Sequence, residues 1–562
     1  MIPLARGAAT ALLSISLSAG AEEAVISLSA VRTSAPIVVD GDLGDEGWKD
    51  VPPIDNWFET NPGDNLPPRV KSVGYLAYDD KSFYAGFRFE DPDPRAIRAP
   101  VGDRDNVPPS TDYAGVILDT RHDRRTGILF LANPRGIQYD AVQDDASQNE
   151  DSSPDFFWES RGRITAEGWN LEIRIPFSSL RYPKSDVQTW GIMLYRNYPR
   201  EFRYQMFSTR LPRGGNCFIC FENDLPGLRD LPSGGHLVLA PYASGSRRDE
   251  PEGDPGTPLQ KGSLDGDIGL DVKWTPFANV AVDATINPDF SQIESDVAQI
   301  GANERFALFF PEKRPFFLEG VELLSTPVQA VYTRTVTSPR FGGRGTGKAG
   351  ALSYTALVAD DRGGGSVILP GPNGSELADQ DFHSYVAIGR LRRDFGKSFV
   401  SVLGSLREID GPAYNRLGGP DFQWRHGEGD TVTGQFLMSW SRTPDRPDLA
   451  EEWDGRALQG HAADLWWNHV RKHVDWFVGY RDLGDGFRAD NGFVPQVGYR
   501  QEYADGGWTV RPASGAVRRL RTFFIFDRSA DREGGLLNRE YSPGFGLDAI
   551  GNSFARFRWS FG

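Results

Sequence analysis

Residues 267–287 read DIGLDVKWTPFANVAVDATIN, and this stretch decides the fold of the second half of the chain. Apolar side chains occupy every second position on both sides of a central turn: Ile268, Leu270, Val272 and Trp274 before it, and Val280, Val282, Ala284 and Ile286 after it. A period of two places alternate residues on opposite faces of a β-strand. The stretch therefore predicts a β-hairpin with one apolar face and one polar face.

The same alternation recurs along the chain around residues 431–440, 474–480 and 555–561. Each stretch has about 8–11 residues, the length of a tilted strand that crosses a membrane. Short turns alternate with longer polar loops such as 360–381 and 442–456, as in outer-membrane barrels. We therefore expect residues 236–562 to form an antiparallel transmembrane β-barrel of about 14–16 strands. A soluble sandwich or propeller is the alternative, although no blade-length repeat supports the propeller.

Residues 32–200 show shorter alternating strands separated by turns rich in Asp, Pro, Asn and Gly. Clear examples of strands are 83–90 and 169–175, and turn-rich pieces lie at 91–94 and 133–136. Many short strands separated by such turns predict an all-β sandwich. Residues 201–235 are rich in Gly and Pro, and we expect them to connect the two domains.

The first 21 residues have the features of a signal peptide: Arg6, a short apolar stretch, and the small residues Ala19-Gly20-Ala21 before Glu22. No later segment has about 18 uninterrupted apolar residues, so a domain in the membrane has to be a closed barrel. The only cysteines, Cys217 and Cys220, are three residues apart. A local disulfide or two free thiols is favoured over a redox CxxC pair, because the strand-to-helix context of a thioredoxin is missing.

Composition and motifs exclude several functions. A net charge of −16 argues against a nucleic-acid binder, which needs a basic surface. The sequence lacks HExxH, GxSxG and the phosphate-binding GxxxxGK[ST] pattern. The Gly-rich run 342–348 ends in Lys but is not followed by a helix, so we expect a turn of the barrel there. No catalytic motif is identified, and whether the protein is an enzyme is left open.

Several stretches together resemble a bacterial outer-membrane family. That family joins a domain like the family 9 carbohydrate-binding modules to a C-terminal, barrel-like domain of unknown function. The stretches follow the same order as in the family and cover most of the chain. They are VVDGDL (38–43), YDDKSFYAGF (78–87), DRRTG (123–127), NPRGIQYD (133–140), GWNLEIRIPF (168–177), INPDFSQIE (286–294) and FPEKRPFFLEG (310–320).

The resemblance implies binding of sugar by aromatic rings, and bound calcium in the sandwich. Trp57 and Trp158 lie beside polar loops and are the candidates for stacking on a sugar, with burial in the core as the favoured alternative. Trp48, Trp169 and Trp190 are expected in the core. The polar run 143–155 offers oxygen ligands for calcium, but its spacing does not match an EF-hand, and a solvated loop is the simpler interpretation.

The stretch 310–320 mixes charged and aromatic residues, and Pro311 and Pro315 exclude a continuous helix. Two interpretations are open: a segment folded into the lumen of the barrel, or a loop outside it.

The sequence thus favours an outer-membrane protein that binds an oligosaccharide or polysaccharide through its N-terminal sandwich, in glycan uptake or surface handling. The barrel would contact outer-membrane lipid, and the sandwich would lie in the periplasm. A glycoside hydrolase acting on O-glycosyl bonds of xylan or cellulose type is the first alternative, since it needs only two suitably placed carboxylates. A structural or assembly barrel protein without sugar binding is the second.

Overall fold

A computed structural model describes residues 26–247, 249–251, 253, 256–288, 306–512, 515–551 and 553–562. The predicted signal peptide, residues 1–21, lies outside the described residues, and so does most of the 286–294 motif. In the described ranges, no helix is both long and apolar enough to cross a membrane.

The first part of the chain folds as a β-sandwich. Its strands are β1 (Val31–Arg32), β2 (Phe58–Asn61), β3 (Ser72–Tyr78), β4 (Ser82–Glu90), β5 (Tyr113–Asp119), β6 (Thr126–Ala132), β7 (Gln138–Asp144), β8 (Asn149–Asp151), β9 (Glu159–Ile164), β10 (Gly168–Pro176), β11 (Val187–Pro199), β12 (Arg203–Phe207) and β13 (Asn223–Arg229). Short 3-10 helices span Glu46–Trp48, Pro94–Ala96, Phe177–Ser179 and Ile219–Phe221.

Two sheets enclose the core of the sandwich. One has the order β1-β3-β4-β10-β9, and the other has the order β2-β12-β11-β5-β6-β7-β8, with β13 also paired to β11. The alternating residues of β4 and β10 point between the sheets, where Phe87, Trp169 and Leu171 are buried. The second sheet includes β12 and β13, so the sandwich extends beyond residue 200 into the stretch 201–235 expected to be only a connector.

The second part of the chain folds as one large antiparallel sheet with two small hairpins. Its strands are β14 (His236–Arg247), β15 (Glu250–Pro251), β16 (Leu259–Gln260), β17 (Leu264–Phe277), β18 (Val280–Ile286), β19 (Pro339–Ala349), β20 (Leu352–Asp361), β21 (Gly365–Pro370), β22 (Ser375–Gln380), β23 (Ser384–Phe395), β24 (Ser398–Ile409), β25 (Tyr414–His426), β26 (Asp430–Arg442), β27 (Ala457–Val470), β28 (Val474–Leu483), β29 (Tyr499–Val510), β30 (Val517–Asp531), β31 (Leu536–Ala549) and β32 (Ser553–Arg558). Helix α1 spans Pro315–Leu318, and 3-10 helices span Val321–Leu324 and Thr333–Thr335.

Fifteen strands form the large sheet, in sequence order from β14 to β32, and the hairpins β15–β16 and β21–β22 stand apart from it. The predicted hairpin of residues 267–287 is the pair β17–β18. One end of the sheet carries tight turns, such as those after β19 and β23, and the other carries long connections, such as 443–456. The predicted all-β fold is confirmed. In the described residues, β14 and β32 are the two edges and are not paired with each other.

The sheet curls around residues 306–338, which we call the inner segment. Arg344 on β19, Arg390 on β23 and Arg407 on β24 donate hydrogen bonds to backbone carbonyls of this segment. The amide of Val328 in the segment donates to Oε1 of Gln435 on β26 at 2.8 Å. Side chains from four strands thus reach the same segment, so the stretch 310–320 lies inside the concave side of the sheet.

The Gly-rich run 342–348 is not a turn, and that prediction is wrong. The run lies within β19, between β18 and β20. Gly342 faces the ring of Phe316, and a Cβ at this position would lie 2.8 Å from that ring. Glycine here lets the strand approach helix α1 closely, which is a packing role.

Candidate functional site

The sandwich sits on the end of the large sheet that carries the tight turns. Arg125 of the sandwich pairs with Asp394 at the end of β23, 2.5 Å apart. Lys348 at the end of β19 pairs with Asp123 of the sandwich at 2.8 Å. Asn216 donates to Oγ1 of Thr431 on β26 at 2.6 Å. These contacts spread across the mouth of the curled sheet, so the sandwich covers that mouth.

A cavity of about 480 Å³ lies where the sandwich, the inner segment and the first strands of the sheet meet. Its walls combine apolar and charged side chains from all three parts. The residues that matter most for its chemistry are Phe156, Phe157, Arg181, Lys273, Glu319 and Glu322. We call this space the interdomain cavity.

Phe157 supplies an exposed aromatic ring to the interdomain cavity, and 69% of its surface is accessible. The backbone holds it in place: the amide of Phe156 donates to Oδ2 of Asp140 at 2.7 Å, and the carbonyl of Phe157 accepts from Oγ of Ser179 at 2.7 Å. The ring of Phe156 packs edge-on against buried Phe130, with 5.6 Å between centroids. An exposed ring on a fixed backbone is suited to stacking on the C–H face of a sugar.

Glu319 of the inner segment forms the charged side of the interdomain cavity. Its carboxylate accepts from Nε of Arg181 at 3.1 Å and also pairs with Lys273 of β17. Burial alone would raise the pKa of Glu319, but the two neighbouring cations offset it and hold the pKa below its usual value. Glu319 is therefore an ionised carboxylate that links all three parts of the molecule.

Glu322 lies in the same cavity and has the opposite electrostatic environment. Burial raises the pKa of its carboxyl group, and Arg121, 3.6 Å away, offsets this only in part. The charge of Glu319 raises the pKa further. One cavity thus holds two acids whose pKa values are shifted in opposite directions.

Trp57 and Trp158 are core residues, so neither ring is available to a sugar. They are 2% and 4% exposed. The indole of Trp57 donates to the carbonyl of Ile54 at 3.1 Å, and that of Trp158 donates to Oδ1 of Asp140 at 3.2 Å. The alternative favoured from sequence, burial in the core, holds, because these hydrogen bonds satisfy the indole N–H groups inside the sandwich although the flanking loops are polar. Trp48, Trp169 and Trp190 are also buried, as expected.

Asp105, Asp140 and Asp155 form a carboxylate cluster in the sandwich, with oxygen atoms within 4.8 Å of one another. Such oxygens fit the preference of calcium for hard ligands. However, Arg104 already pairs with Asp140 at 2.5 Å and with Asp155 at 2.9 Å. Burial raises the pKa of Asp105 to about 6. The arginine supplies the balancing charge, and the polar run 143–155 contributes only Asp155 to the cluster.

Cys217 and Cys220 form a disulfide with 5.9 Å between their Cα atoms. Asn216, which contacts the large sheet, directly precedes this small loop. The pair thus lies in a loop that supports the contact between sandwich and sheet.

One known domain family matches the beginning of the large sheet. Residues 235–346 match a domain of unknown function, DUF5916. This match confirms the resemblance in the second half of the chain. No curated protein matches the sequence significantly.

Solved structures give distant similarities to each part. A putative carbohydrate-binding protein from Bacteroides uniformis ATCC 8492 is 12% identical, with a TM-score of 0.30, and the match covers 36% of this chain and 99% of that one. A family 9 carbohydrate-binding module from Caldicellulosiruptor kristjanssonii, solved with glucose, is 15% identical, with a TM-score of 0.25, over 36% and 97%. Pseudomonas aeruginosa OccK8 (OprE) is 11% identical, with a TM-score of 0.27, over 80% and 91%. All three TM-scores lie below 0.5, and we therefore draw the function from this chain's own residues.

Phe157 was not identified from sequence, although a signal for it is present. It stands next to Trp158 in the pair Phe156-Phe157, directly after the polar run that ends at Asp155. Three adjacent aromatic residues cannot all face one core from an extended chain, because successive side chains point to opposite sides. At least one of the three had to point outward.

Proposed function

We propose that the protein is an outer-membrane protein that binds an oligosaccharide in the interdomain cavity, in glycan uptake or surface handling. The observation that carries the proposal is the exposed, backbone-fixed ring of Phe157 beside the charged groups of Arg181, Lys273 and Glu319. An aromatic platform with a few polar groups is a common arrangement for recognising a sugar.

The outer face of the large sheet supports the membrane part of the proposal. A belt of exposed apolar and aromatic side chains covers it: Leu391, Val400, Val402, Phe422, Trp424, Phe436, Trp440, Leu465, Trp467, Val478, Tyr480, Trp508 and Phe524. An exposed apolar surface of this extent is unfavourable in water and favourable in lipid. Short turns lie on the periplasmic side of outer-membrane barrels, and the sandwich covers that end, so we place the sandwich in the periplasm.

The location is tested by extracting the full-length protein from outer membranes and comparing gel migration before and after boiling. A folded barrel is expected to shift on boiling. Fractionation with soluble periplasmic proteins, without a shift, would contradict the membrane proposal.

The binding proposal is tested with Phe157→Ala in the full-length protein. Loss of a stacking ring costs about 0.5–1.5 kcal/mol beyond its buried area, so affinity for xylan and cellulose oligomers is expected to fall about 2- to 12-fold. Titration calorimetry measures the change. Ile164→Ala is the matched control, because Ile164 is an exposed apolar residue of β9 and does not line the cavity. Equal affinity for both variants and the unchanged protein would refute a role of Phe157.

The hydrolase alternative rests on one observation, the opposite pKa shifts of Glu319 and Glu322. Two acids with opposite shifts are the usual signature of a general acid beside an ionised partner. The same incubations should therefore be assayed for new reducing ends, with Glu322→Gln as the variant. Reducing ends that appear with the unchanged protein and vanish with Glu322→Gln would establish the hydrolase. We expect none, because Arg181 and Lys273 already occupy the carboxylate of Glu319.

The structural alternative has its own outcome in these experiments. If no glycan is retained by the full-length protein, and membrane insertion is normal, the protein is a barrel with a periplasmic cap and no sugar binding.

A further inference from the structure

We propose a second binding site, for a neutral polyhydroxylated ligand, on the concave side of the large sheet around Arg392 and Asp421. It lies in a cavity of about 550 Å³ next to the interdomain cavity, and Glu322 lies in the wall of both. The walls come from the sheet, from the inner segment and from the sandwich residues 144–153. The site shares Glu322 and its ligand class with the proposed function, but its central residues, Arg392 and Asp421, do not line the interdomain cavity.

The two central residues belong to a row of paired residues that crosses the sheet. Arg392 of β23 is directly opposite Ser401 of β24, Ser401 is opposite Asp421 of β25, and Asp421 is opposite Gln435 of β26. Directly paired residues of antiparallel strands lie on the same face of a sheet, and neighbouring strands are about 4.8 Å apart. Arg392 and Asp421 therefore lie on the same face of the sheet, two strands apart, and both line the cavity. Ser401 between them accepts from Arg390.

Arg392 has unused hydrogen-bonding capacity although it is only 4% exposed. Its contacts are Asp394, with Nε 3.3 Å from Oδ1, and the ring of Phe399, 5.2 Å from the guanidinium. The contact of Nε with Asp394 is an ion pair outside hydrogen-bonding geometry, so Nε makes no hydrogen bond within the described part of the chain. A buried guanidinium with unsatisfied donors is unfavourable, and a ligand acceptor would remove that cost.

Asp421 offers the complementary acceptor. Its Oδ1 accepts from Arg390, whereas Oδ2 is buried and has no partner among the residues described. An ionised carboxylate only accepts hydrogen bonds, so its natural partner is a donor such as a ligand hydroxyl. A hydroxyl can both accept from Arg392 and donate to Asp421, which a simple anion or cation cannot do.

The charges around the cavity exclude an anionic ligand. Arg390 and Arg392 are the basic residues in its wall, while the wall contains five acids: Asp144, Asp151, Glu312, Glu322 and Asp421. An excess of carboxylates repels an anion, and the free donors of Arg392 disfavour a cation. Half-buried Trp466 in the wall adds a flat apolar ring. Together these features fit a neutral sugar of one or two rings.

The test uses the full-length protein in detergent, with cellobiose as the probe and Phe157→Ala as the background. In this background the interdomain site is weakened, so a further loss of affinity caused by a change at Arg392 reports on the second site. Arg392→Met keeps an unbranched apolar stem but removes every donor, and we expect affinity for cellobiose to fall at least 10-fold. Arg393→Met is the matched control, because Arg393 is the next residue on β23 and is exposed on the outer face. An unchanged affinity in Arg392→Met would overturn the proposal.

A second pair of variants guards against misfolding of Arg392→Met. Trp466→Phe and Trp467→Phe alter neighbouring rings on opposite faces of β27. Cellobiose is expected to change the tryptophan fluorescence of the Phe157→Ala protein, and this change should be lost in Trp466→Phe and kept in Trp467→Phe. The reverse pattern, or tighter binding of glucuronate than of cellobiose, would also overturn the proposal. These outcomes do not depend on whether the interdomain cavity binds sugar, because the ring of Phe157 is absent from every protein that is compared.

Discussion

The strands of the sandwich and of the large sheet share the same alternation of apolar and polar residues. The sandwich buries the apolar residues, whereas the large sheet buries the polar ones on its concave side. In the sandwich, Phe87 and Leu171 are buried between the sheets, while Arg88 on the adjacent position faces water. In the large sheet, Arg407 and Asp361 are buried on the concave side, 3.0 Å apart, while Phe436 is exposed.

This difference shows that alternation alone does not predict which face of a strand, the apolar or the polar one, is buried. A sandwich in water gains free energy by burying apolar area. A barrel in lipid has no such gain on its outer face, and polar residues collect inside, where partners and water satisfy them. Whether a strand buries its apolar or its polar residues therefore indicates whether water or lipid surrounds the domain.

Truncation gives the largest expected effect on the comparison. A sandwich with a complete apolar core should fold alone, so we expect residues 26–235 to melt cooperatively. Residues 26–200 lack β12 and β13, which together pair along the edge of β11 that faces away from β5, and we expect this fragment to aggregate. Circular dichroism and sedimentation of the two fragments measure this. A cooperative melt of residues 26–200 would contradict the extended boundary.

Phe87→Ala and Phe436→Ala compare the same side-chain loss in the two regions. Phe87 is fully buried in the sandwich, and its removal should cost about 3–5 kcal/mol. Phe436 is exposed on the outer face, which we propose to be in contact with lipid or detergent, so we expect its removal to cost less than about 1 kcal/mol. Urea unfolding of the full-length protein in detergent, followed separately for each domain, gives both values. Equal costs would mean that Phe436 is packed against protein.

Val478→Arg and Gln501→Arg place the same charge on opposite faces of the large sheet. Val478 is exposed on the outer face of β28, and an arginine near the midplane should impair assembly by about 2–4 kcal/mol. Gln501 faces inward and donates to Asp527 at 2.9 Å, so an arginine there gains an acidic partner. The yield of heat-modifiable protein compares the variants. Normal assembly of Val478→Arg would count against a lipid-facing surface.

Glu222→Gln tests how much a buried carboxyl group lowers the stability of the sandwich. Burial and nearby Asp119 raise the pKa of Glu222 to about 11. The folded state therefore keeps a proton that the unfolded chain releases above about pH 4.5. Stability is highest below that pH and falls as the pH rises towards 11.

The amide cannot ionise, so Glu222→Gln should be more stable than the unchanged sandwich at pH 8, by about 1–3 kcal/mol. The gain should shrink at pH 5. Melting of residues 26–235 at both pH values measures it, with Glu167→Gln, an exposed acid, as the control. A gain that does not depend on pH would show that ionisation of Glu222 is not the cause.

The local sequence pattern predicted the strands, but it did not predict which side chains come together when the chain folds. The hairpin β17–β18 and the strands β4 and β10 lie where the alternation placed them, because period and turn residues are local properties. The burial of Trp158 depends on Phe130, and the position of Phe157 depends on Ser179, both brought close only by folding of the sandwich. Glu319 and Arg181 are 138 residues apart, so no local signal could pair them.

The cap on the mouth of the sheet has a consequence for the order of folding. The pair between Arg125 and Asp394 joins residues 269 positions apart, and closing so long a loop is slow. Arg125 and Asp394 are in position to pair only after the sandwich has folded and the turn between β23 and β24 has formed. We therefore expect the cap to seat on the sheet only after both parts have formed. If the sheet inserts in the outer membrane as we propose, its mouth stays uncovered until then, and solutes can leak through it in that interval.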